Sequence, residues 1–500
     1  MSLHGIIQFG MVCIICLLVT GSIAAESEPG GGRTLRSYGA IGDGVTDDRG
    51  AIEAALNGAK GAPVDGEGLS YAVCGNILVE NDVDFHHATL VQTMAPPETA
   101  RYLAAAAQHA QPVVDPPDAL RRMVRGIPLL SPEGVASSAA DTQLNEEDLA
   151  ALRPGLVVRT LNIEGRDTRP VAVNLSQIRI VRGREASSGA SNDAAALRIA
   201  NGSPVRLEAI EITGEGKGCA VCVLRCTDVR IDKLHVHDLI WAPYRGDDVF
   251  AALTAESLRD DFAWNDFPLY EPRSDAGRFV RIRAREQIIG LYVGRSRDVM
   301  ISDAKIERLQ TRAGGRLLPL QTDGITLNRV DDIVLRNCVV ADVWEGIDFT
   351  GADGNRFHYE HCTVSRALGT AFKFVYAKRN GTLVDCTAEA AGQNGFSIGR
   401  YTEDLELLNC RALETGATGV YTKEDGSRVA TICGIDIAGA GGLATPRRIT
   451  LKGCSAVNKS HPGAMDYGIR CEAPPAGREI RLIDCEAAGA RIQDVAGMQD

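Results

Sequence analysis

The stretch IVLRNCVV, residues 333–340, returns 24 residues later as FHYEHCTV (357–364), then as GTLVDCTA (381–388), and again as LELLNCRA (405–412). Apolar and polar residues alternate within each copy, and a residue of the Asn, Asp or His type precedes each cysteine. About two-thirds of a period further on comes a second short apolar stretch: GIDF (346–349), TAFKF (370–374), GFSI (395–398) or GVYT (419–422). The first pattern is also found as ITLKGCSA (449–456) and IRLIDCEA (480–487), and upstream, with other residues in the cysteine slot, as VMISDAKI (299–306) and VRIDKLHV (229–236). Period-two alternation broken by Gly, Asp and Asn turns is a strand signature. A unit of about 24 residues cannot close a core of its own. It buries its apolar side only by stacking on neighbours, with successive strands about 4.8 Å apart. The repeat therefore predicts an all-β parallel solenoid.

Stacking places Cys338, Cys362, Cys386 and Cys410 in one inward ladder. Of the 14 cysteines, Cys13 and Cys16 fall in the apolar leader discussed below, leaving twelve. Equivalent positions on stacked parallel strands point the same way and suit disulfide geometry poorly, so free buried thiols are expected. Cys219 and Cys222 with Cys226 read as one alternating strand and its turn, without the paired spacing of a zinc site.

The chain has 500 residues, 45% of them hydrophobic, 53 glycines, and a net charge of −12. That balance argues against nucleic acid as a partner, since such proteins need a basic surface to displace counterions. An acidic sugar polymer stays possible, because local patches set the field in a groove. Residues 1–25 carry an apolar run from Gly5 to Val19 and small residues up to Ala25, which reads as an export signal and predicts a secreted or periplasmic protein with no stable membrane association once the signal is removed. The remainder, 26–500, reads as one solenoid domain with insertions at 95–153 and 241–285. The first insertion contains a helix-like DTQLNEEDLAALRPG (141–155); the second holds Trp241, Tyr244, Trp264, Phe267 and Tyr270. Aromatic rings stack on sugar faces, so Trp241 and Trp264 are candidate substrate contacts, with a loop packing its own small core as the alternative.

LRSYGAIGDGVTDDRGAIEAALNGA, from Leu35 to Ala59, resembles the opening segment shared by polygalacturonases, pectate-lyase-like proteins and phage tailspikes. The resemblance implies a right-handed parallel β-helix whose N-terminal end is capped by residues 34–60. The residues agree: Gly42-Asp43-Gly44 is a turn, Thr46 or Asp47 can cap a helix, and Ile52, Ala55 and Leu56 give that helix an apolar face. Because the superfamily includes hydrolases, lyases, epimerases and binding spikes, its fold leaves the activity open. A second stretch, QTDGITL (321–327) followed by WEGIDFTG (344–351), is similar to two active-site segments of family 28 glycoside hydrolases. It places Asp323 and Glu345 on two of that family's aspartates. Trp344 stands where the family has its proton donor, no Gly-His-Gly follows near Leu368-Gly369-Thr370, and no later Arg-x-Lys is evident.

Overlaying the periods puts Asp323, Glu345, Thr370, Asn394 and Thr418 in one column. Tyr292, Thr326, Asp348, Lys373, Ser397 and Tyr421 fall in another, three residues on. An apolar row of Ile325, Ile347, Phe372, Phe396 and Val420 lies between them. If that row is inward, the polar columns face outward, and Asp323, Glu345, Asp348 and Lys373 meet on an exposed face. Trp344, Tyr292 and Tyr421 are candidate substrate contacts, as are the bases Arg329 and Arg400; Lys378, Arg379 and Lys423 lie nearby. Two chemistries fit. In β-elimination from a uronic acid, which the residues slightly favour, Asp323, Glu345 and Asp348 would ligate Ca²⁺ and Lys373 would be the base. In inverting hydrolysis, Asp323 and Glu345 would activate water while Asp348 gives a proton to the leaving oxygen. A non-catalytic polysaccharide-binding or adhesive solenoid is the rival from another class. A C5-epimerase is less expected, as no Asp-Pro-His occurs. His235-x-His237 shares a strand face and reads as surface more readily than as a metal site. With no coiled-coil heptads, a monomer is expected rather than a trimer.

Overall fold

In the computed structural model, each period folds into one coil of three short strands joined by turns. The coil Thr322–Asn328, Asp331–Arg336, Val339–Ala341 is typical, and the next repeats it as Glu345–Thr350, Gly354–Glu360, Thr363–Ser365. The structure describes residues 33–93, 129–130, 159–183, 195–216, 218–244, 268–272, 279–283, 288–313, 316–318, 322–351, 353–376, 378–419, 421–422, 428, 430–438, 446–471 and 479–496. The leader therefore lies outside the described residues, as does the helix-like 141–155. The first strands of successive coils form a 12-stranded parallel sheet running from Ile77–Val79 to Gln493–Ala496, here called the site sheet. The second and third strands build a larger sheet of 25 strands. The chain is thus a parallel β-helix.

Register follows the repeat. Ile325 pairs with Ile347, Ile347 with Phe372, and Phe372 with Phe396, all fully or almost fully buried. Stacked rings continue the row inside, with Phe372 and Phe396 centroids 4.8 Å apart and nearly parallel. One glycine is required for this packing: a Cβ at Gly381 would fall 2.0 Å from the Phe357 ring.

The cysteines stack as expected. Val339, Thr363, Thr387, Arg411, Ser455 and Glu486 pair in sequence, so the residue before each, Cys338 through Cys485, forms one column that Ala304 and Leu234 continue upstream. None of the twelve described cysteines is in a disulfide. Cys362 Sγ lies 3.7 Å from Leu335 O of the preceding coil, and Cys410 Sγ lies 3.6 Å from Leu383 O. The residue before each cysteine turns the chain in the left-handed region: Asn337, His361, Asp385, Asn409, Gly453 and Asp484 all have φ between 50° and 63°. In the cysteine-bearing coils that slot holds Asn, Asp, His or Gly, for which this backbone costs least, while Lys233 and Ala209 make the same turn upstream.

At the N-terminal end, helix Arg49–Ala59 lays Ile52, Ala55 and Leu56 over the first coil. The cap is Asp48, one residue later than expected, and its carboxylate makes no capping bond. It accepts instead from the amides of Ile41 (2.6 Å) and Gly42 (3.0 Å), closing the preceding loop. The two insertions are not separate excursions. Leu129–Leu130 from the first pairs antiparallel with Phe279–Arg283 from the second, beside Pro268–Pro272, in a three-stranded sheet.

Candidate functional site

The four acidic and basic residues singled out from the repeat do come together. Asp323 pairs with Glu345 and Thr326 with Asp348 across adjacent strands, and Asp348 pairs with Lys373 on the next. The three-residue spacing between the columns has a local cause. A Cβ at Gly324 would fall 2.3 Å from Val340 Cγ1, inside the coil, and Ile325 is also in the core. Two consecutive residues thus turn inward, and the flanking pair Asp323 and Thr326 is left on the outer side. Gly346, between Glu345 and Ile347, repeats the arrangement, as a Cβ there would fall 2.4 Å from Val364 Cγ1.

The face is outward but not exposed, which corrects the sequence expectation. Asp323 is 2% exposed and Asp348 4%. Lys373 keeps the most solvent contact of the four, with 26% of its side chain exposed. Its ammonium lies 2.5 Å from Glu345 Oε2 and 3.6 Å from Asp348 Oδ2. Thr326 Oγ1 donates to Asp323 Oδ2 at 3.0 Å, while Oδ1 of Asp323 and of Asp348 are buried without a hydrogen-bond partner. Such oxygens are costly as part of an ion and much less so as part of a neutral acid.

The titrations follow. Burial, then the charges of Glu345 and Asp348, hold Asp323 well above the usual carboxylate range. Burial pushes Asp348 up to about 7 against the opposing pull of Lys373. Burial also works against the Lys373 ammonium, but Glu345 and Asp348 outweigh it and keep the lysine charged beyond its ordinary range. A lysine held in this way is a poor base at neutral pH. That ammonium contacts both Glu345 and Asp348, and among the described residues no group of three His, Cys, Asp or Glu side chains is placed to hold a metal ion.

The other candidates divide. The columns continue past Asn394 and Ser397 to Cys433 and Asp436, with Ile435 following Phe396 in the inward row. Thr418 and Tyr421 are therefore out of register, and Val420 lies outside the described residues. The coil that begins at Asn394 is longer than 24 residues, and GVYT mimics a strand that the chain forms only at Cys433–Ile437. Tyr421 nonetheless reaches the site by another route. It is buried with Ile432 and Met465, its ring 6.2 Å from that of half-buried Trp344, whose own amide is fixed by Thr322 O (2.7 Å) and Thr322 Oγ1 (2.9 Å). Thr322 and Thr326 were missed as site residues; their position beside and within the acidic columns was the available signal.

Tyr292 keeps its predicted register opposite Thr326 but is 7% exposed, packed with Ala195, Cys219, Cys222 and Ile289. Lys378 is wholly buried, its Nζ bonded to the carbonyls of Thr350 (3.0 Å) and Gly351, and is no seat for a ligand. Arg329 is exposed on the turn leaving the site sheet, and Arg295 occupies the same turn one coil earlier. Both have left-handed backbones (φ 56° and 51°), and neither makes an ion pair with a described residue. Arg400 is half-buried on the turn that follows Ile398. Trp264, Lys423 and the side chain of Trp241 lie outside the described residues. The rings of His235 and His237 stack 4.3 Å apart beside Glu307, Glu211 and Asp238 in a surface ion-pair network.

Comparison with known proteins agrees on the fold. Residues 289–469 match the family model described as right handed beta helix region, which establishes the handedness. No curated protein matches the chain. Among solved structures, the N-terminal fragment of bacteriophage Phi29 gene product 12 aligns over 93% of this chain at 12% identity and a TM-score of 0.43; this chain spans 64% of that fragment. The A-module of Azotobacter vinelandii mannuronan C-5 epimerase AlgE4 aligns over 94% of this chain and 100% of its own, at 12% identity and a TM-score of 0.36. The endo-xylogalacturonan hydrolase of Aspergillus tubingensis aligns over 93% and 95%, at 11% identity and a TM-score of 0.39. At these values the likenesses say nothing about this chain's chemistry.

Proposed function

We propose that this right-handed parallel β-helix hydrolyses a glycosidic bond in an acidic polysaccharide, with Asp348 as proton donor and Glu345 as the group that takes a proton from the attacking water. The observation that supports this reading is the crowding of three carboxyl groups around one ammonium in a nearly closed place. Such a cluster keeps a proton near neutral pH, because burial and like charge both oppose full ionisation. Glycoside hydrolysis needs a protonated carboxyl to meet the leaving oxygen and a second carboxyl close to it. A donor titrating at about 7 is well matched to that task. The proton of Asp348 passes to the leaving oxygen, the hydroxyl of water joins the sugar carbon, and the proton released goes to Glu345. Lys373 holds Glu345 in place, Asp323 completes the acidic wall, and the ring pair Trp344 and Tyr421 stands beside it.

An acidic polymer is favoured by Arg295 and Arg329. Guanidinium groups on exposed turns beside the site, free of carboxylate partners among the described residues, suit uronate or other sugar carboxylates. Elimination with Lys373 as base fits less well, since its ammonium is held by two carboxylates. No step here passes through Ca²⁺. Export to the periplasm or medium belongs to the same proposal; among the described residues no helix is long and apolar enough to cross a membrane.

The test uses purified protein and a panel of acidic polysaccharides, with and without Ca²⁺, recording new reducing ends and the ultraviolet absorbance of unsaturated uronates. Reducing ends without absorbance are expected, lost in Asp348→Asn and in Glu345→Gln. Absorbance would replace hydrolysis by elimination, and binding without either signal would make this a non-catalytic solenoid.

A further inference from the structure

The turn that leaves the site sheet carries a second column, parallel to the acids. Leu224 pairs with Gly294, Gly294 with Asn328, and Asn328 with Thr350, so the residues that follow, Arg225, Arg295, Arg329 and Gly351, are equivalent on successive coils. Phe349 pairs with Phe374, which brings Tyr376 to the same place one coil on, and Tyr401 stands on the turn after that. Arg295, Arg329, Gly351 and Tyr376 each lie three residues beyond Tyr292, Thr326, Asp348 and Lys373, hence about 10 Å along the strand from them, and successive members lie about 4.8 Å apart. The column changes character at the acids. Before them, Arg295 and Arg329 are exposed and make no ion pair with a described residue, while Arg225 ends the run, its Nε donating to Asn201 Oδ1 at 2.8 Å. On the coil of Glu345 and Asp348 the column is bare: a Cβ at Gly351 would fall 2.4 Å from Asn328 Oδ1. Beyond it, Tyr376 is 50% and Tyr401 47% exposed, and no other Tyr, Phe or Trp among the described side chains is left so open.

We propose that the substrate lies along this edge, parallel to the solenoid axis, with an acidic sugar on Arg295 and Arg329 and the face of an uncharged sugar on Tyr376 and Tyr401. The position of the cut rests on the reaction proposed above; the track itself does not. Charge sets the direction of the chain. Guanidinium groups on adjacent coils grip a carboxylate or sulfate through paired N–H donors. The tyrosines offer rings that pack on the apolar face of a sugar and a hydroxyl for its rim. Exposed Asp353, two residues past Gly351, opposes a second acidic sugar beyond the cut. The bare step at Gly351 leaves the turn open beside Asp348, where the glycosidic oxygen has to come to receive its proton. The bond cut then joins an acidic sugar to an uncharged one. The substrate class is a heteropolysaccharide in which the two adjoin, and not a homopolymer of uronic acid.

The test separates binding from cleavage. Binding is measured by calorimetry on Asp348→Asn, so that no cleavage intervenes, with three classes of probe: oligogalacturonates, xylan oligomers, and hyaluronan and chondroitin oligosaccharides, in which a uronic acid alternates with an uncharged sugar. The alternating probes should bind about tenfold more tightly than either of the others. Arg295→Asn and Arg329→Asn keep a residue suited to this turn, as Asn201 shows, and each should weaken that binding about tenfold and lessen its dependence on salt. Tyr376→Asn should weaken it by a similar factor and leave the salt dependence unchanged. No binding of any probe, tightest binding of a homopolymer, or affinities indifferent to the three substitutions would overturn the proposal. Binding in the expected pattern without cleavage when Asp348 is intact would overturn the reaction and leave the track; cleavage that ignores the three substitutions would overturn the track and leave the reaction.

Discussion

Replacing Asp348 by asparagine should make the protein more stable and inactive at once. The carboxyl titrates at about 7 instead of the ordinary 3.8, chiefly because it is buried. At about 1.4 kcal/mol per pH unit, that shift corresponds to about 4 kcal/mol. The sign follows from proton binding. Between the two values the folded state keeps a proton that the unfolded chain has released, so stability falls as pH rises from about 4 to about 7 and is level above that. The penalty is therefore nearly absent at pH 4 and fully present at pH 8. Asparagine matches the neutral acid in shape and cannot ionise. Urea unfolding of wild type and Asp348→Asn at both pH values gives the double difference, and the variant should gain about 3 to 4 kcal/mol more at pH 8 than at pH 4. Equal differences at the two pH values, or a variant less stable at pH 8, would refute the claim that this carboxyl is buried without adequate compensation. Turnover should fall by at least a hundredfold in the same variant, the usual scale for loss of a general acid.

The remaining predictions concern the supports of the site and the coil. Lys373→Met leaves three carboxyls without their cation and should cost about 3 to 5 kcal/mol at neutral pH, less in acid, as read by urea midpoints. Gly324→Ala drives a methyl into Val340 and should cost about 1 to 3 kcal/mol, with a change in the pH dependence of stability because Asp323 moves with it. Of the described cysteines only Cys74 and Cys485 are not buried, so a thiol reagent should label no more than these two among them in the native protein, and all twelve after unfolding.

Most of the fold could be read from the sequence because its two strongest constraints are local and repeated. The left-handed turn favours Asn, Asp, His or Gly, as at Asn337, His361, Asp385 and Asn409, and the ladder behind it is filled by cysteines such as Cys338 and Cys362, with Leu234 in the same column upstream. Such constraints leave a periodic trace. The acidic cluster was legible for the same reason, since Asp323, Glu345, Asp348 and Lys373 lie within coils whose spacing is regular. Legibility ended where the spacing changed. The added residues between Asn394 and Cys433 displaced Tyr421 from the column assigned to it and hid the pair Asp436–Arg470, joined at 2.7 Å on the same outer face. Burial was also beyond reach. Alternation tells which side of a strand a residue takes, but not whether another part of the chain covers that side, and so Tyr292 and the carboxyls were expected in solvent. Lys378 shows a third limit: a lysine in a basic run reads as surface, yet this one is buried against the Phe349 ring with its charge spent on two carbonyls.

The outer columns of the site sheet also supply an internal comparison that bears on why the charges are there. In the coils just before the site, the positions equivalent to Asp323 are Ala195, Cys219 and Ile289, and those equivalent to Asp348 are Cys222 and Tyr292, preceded by Arg198, which is buried but paired with Glu164 at 3.2 Å. Ala195, Cys219, Cys222, Ile289 and Tyr292 form a closed apolar cluster. The backbone is the same, the side of the sheet is the same, and the burial is comparable, so nothing in the architecture requires an ion at Asp323, Glu345, Asp348 or Lys373. Buried ion pairs are often no more stable than apolar residues of similar size, and two carboxylate oxygens here lack any partner, which makes this set worse than an average pair. A chain that fills these positions with alanine, cysteine, isoleucine and tyrosine and one paired arginine in one group of coils, and with three acids and a lysine in the next, forgoes stability locally. A proton donor tuned to neutral pH beside a carboxyl held by Lys373 is a function that such a loss can serve, and a solvated ion-pair ladder, like those between Asp332 and Arg356 or Asp404 and Arg448, would not need the burial.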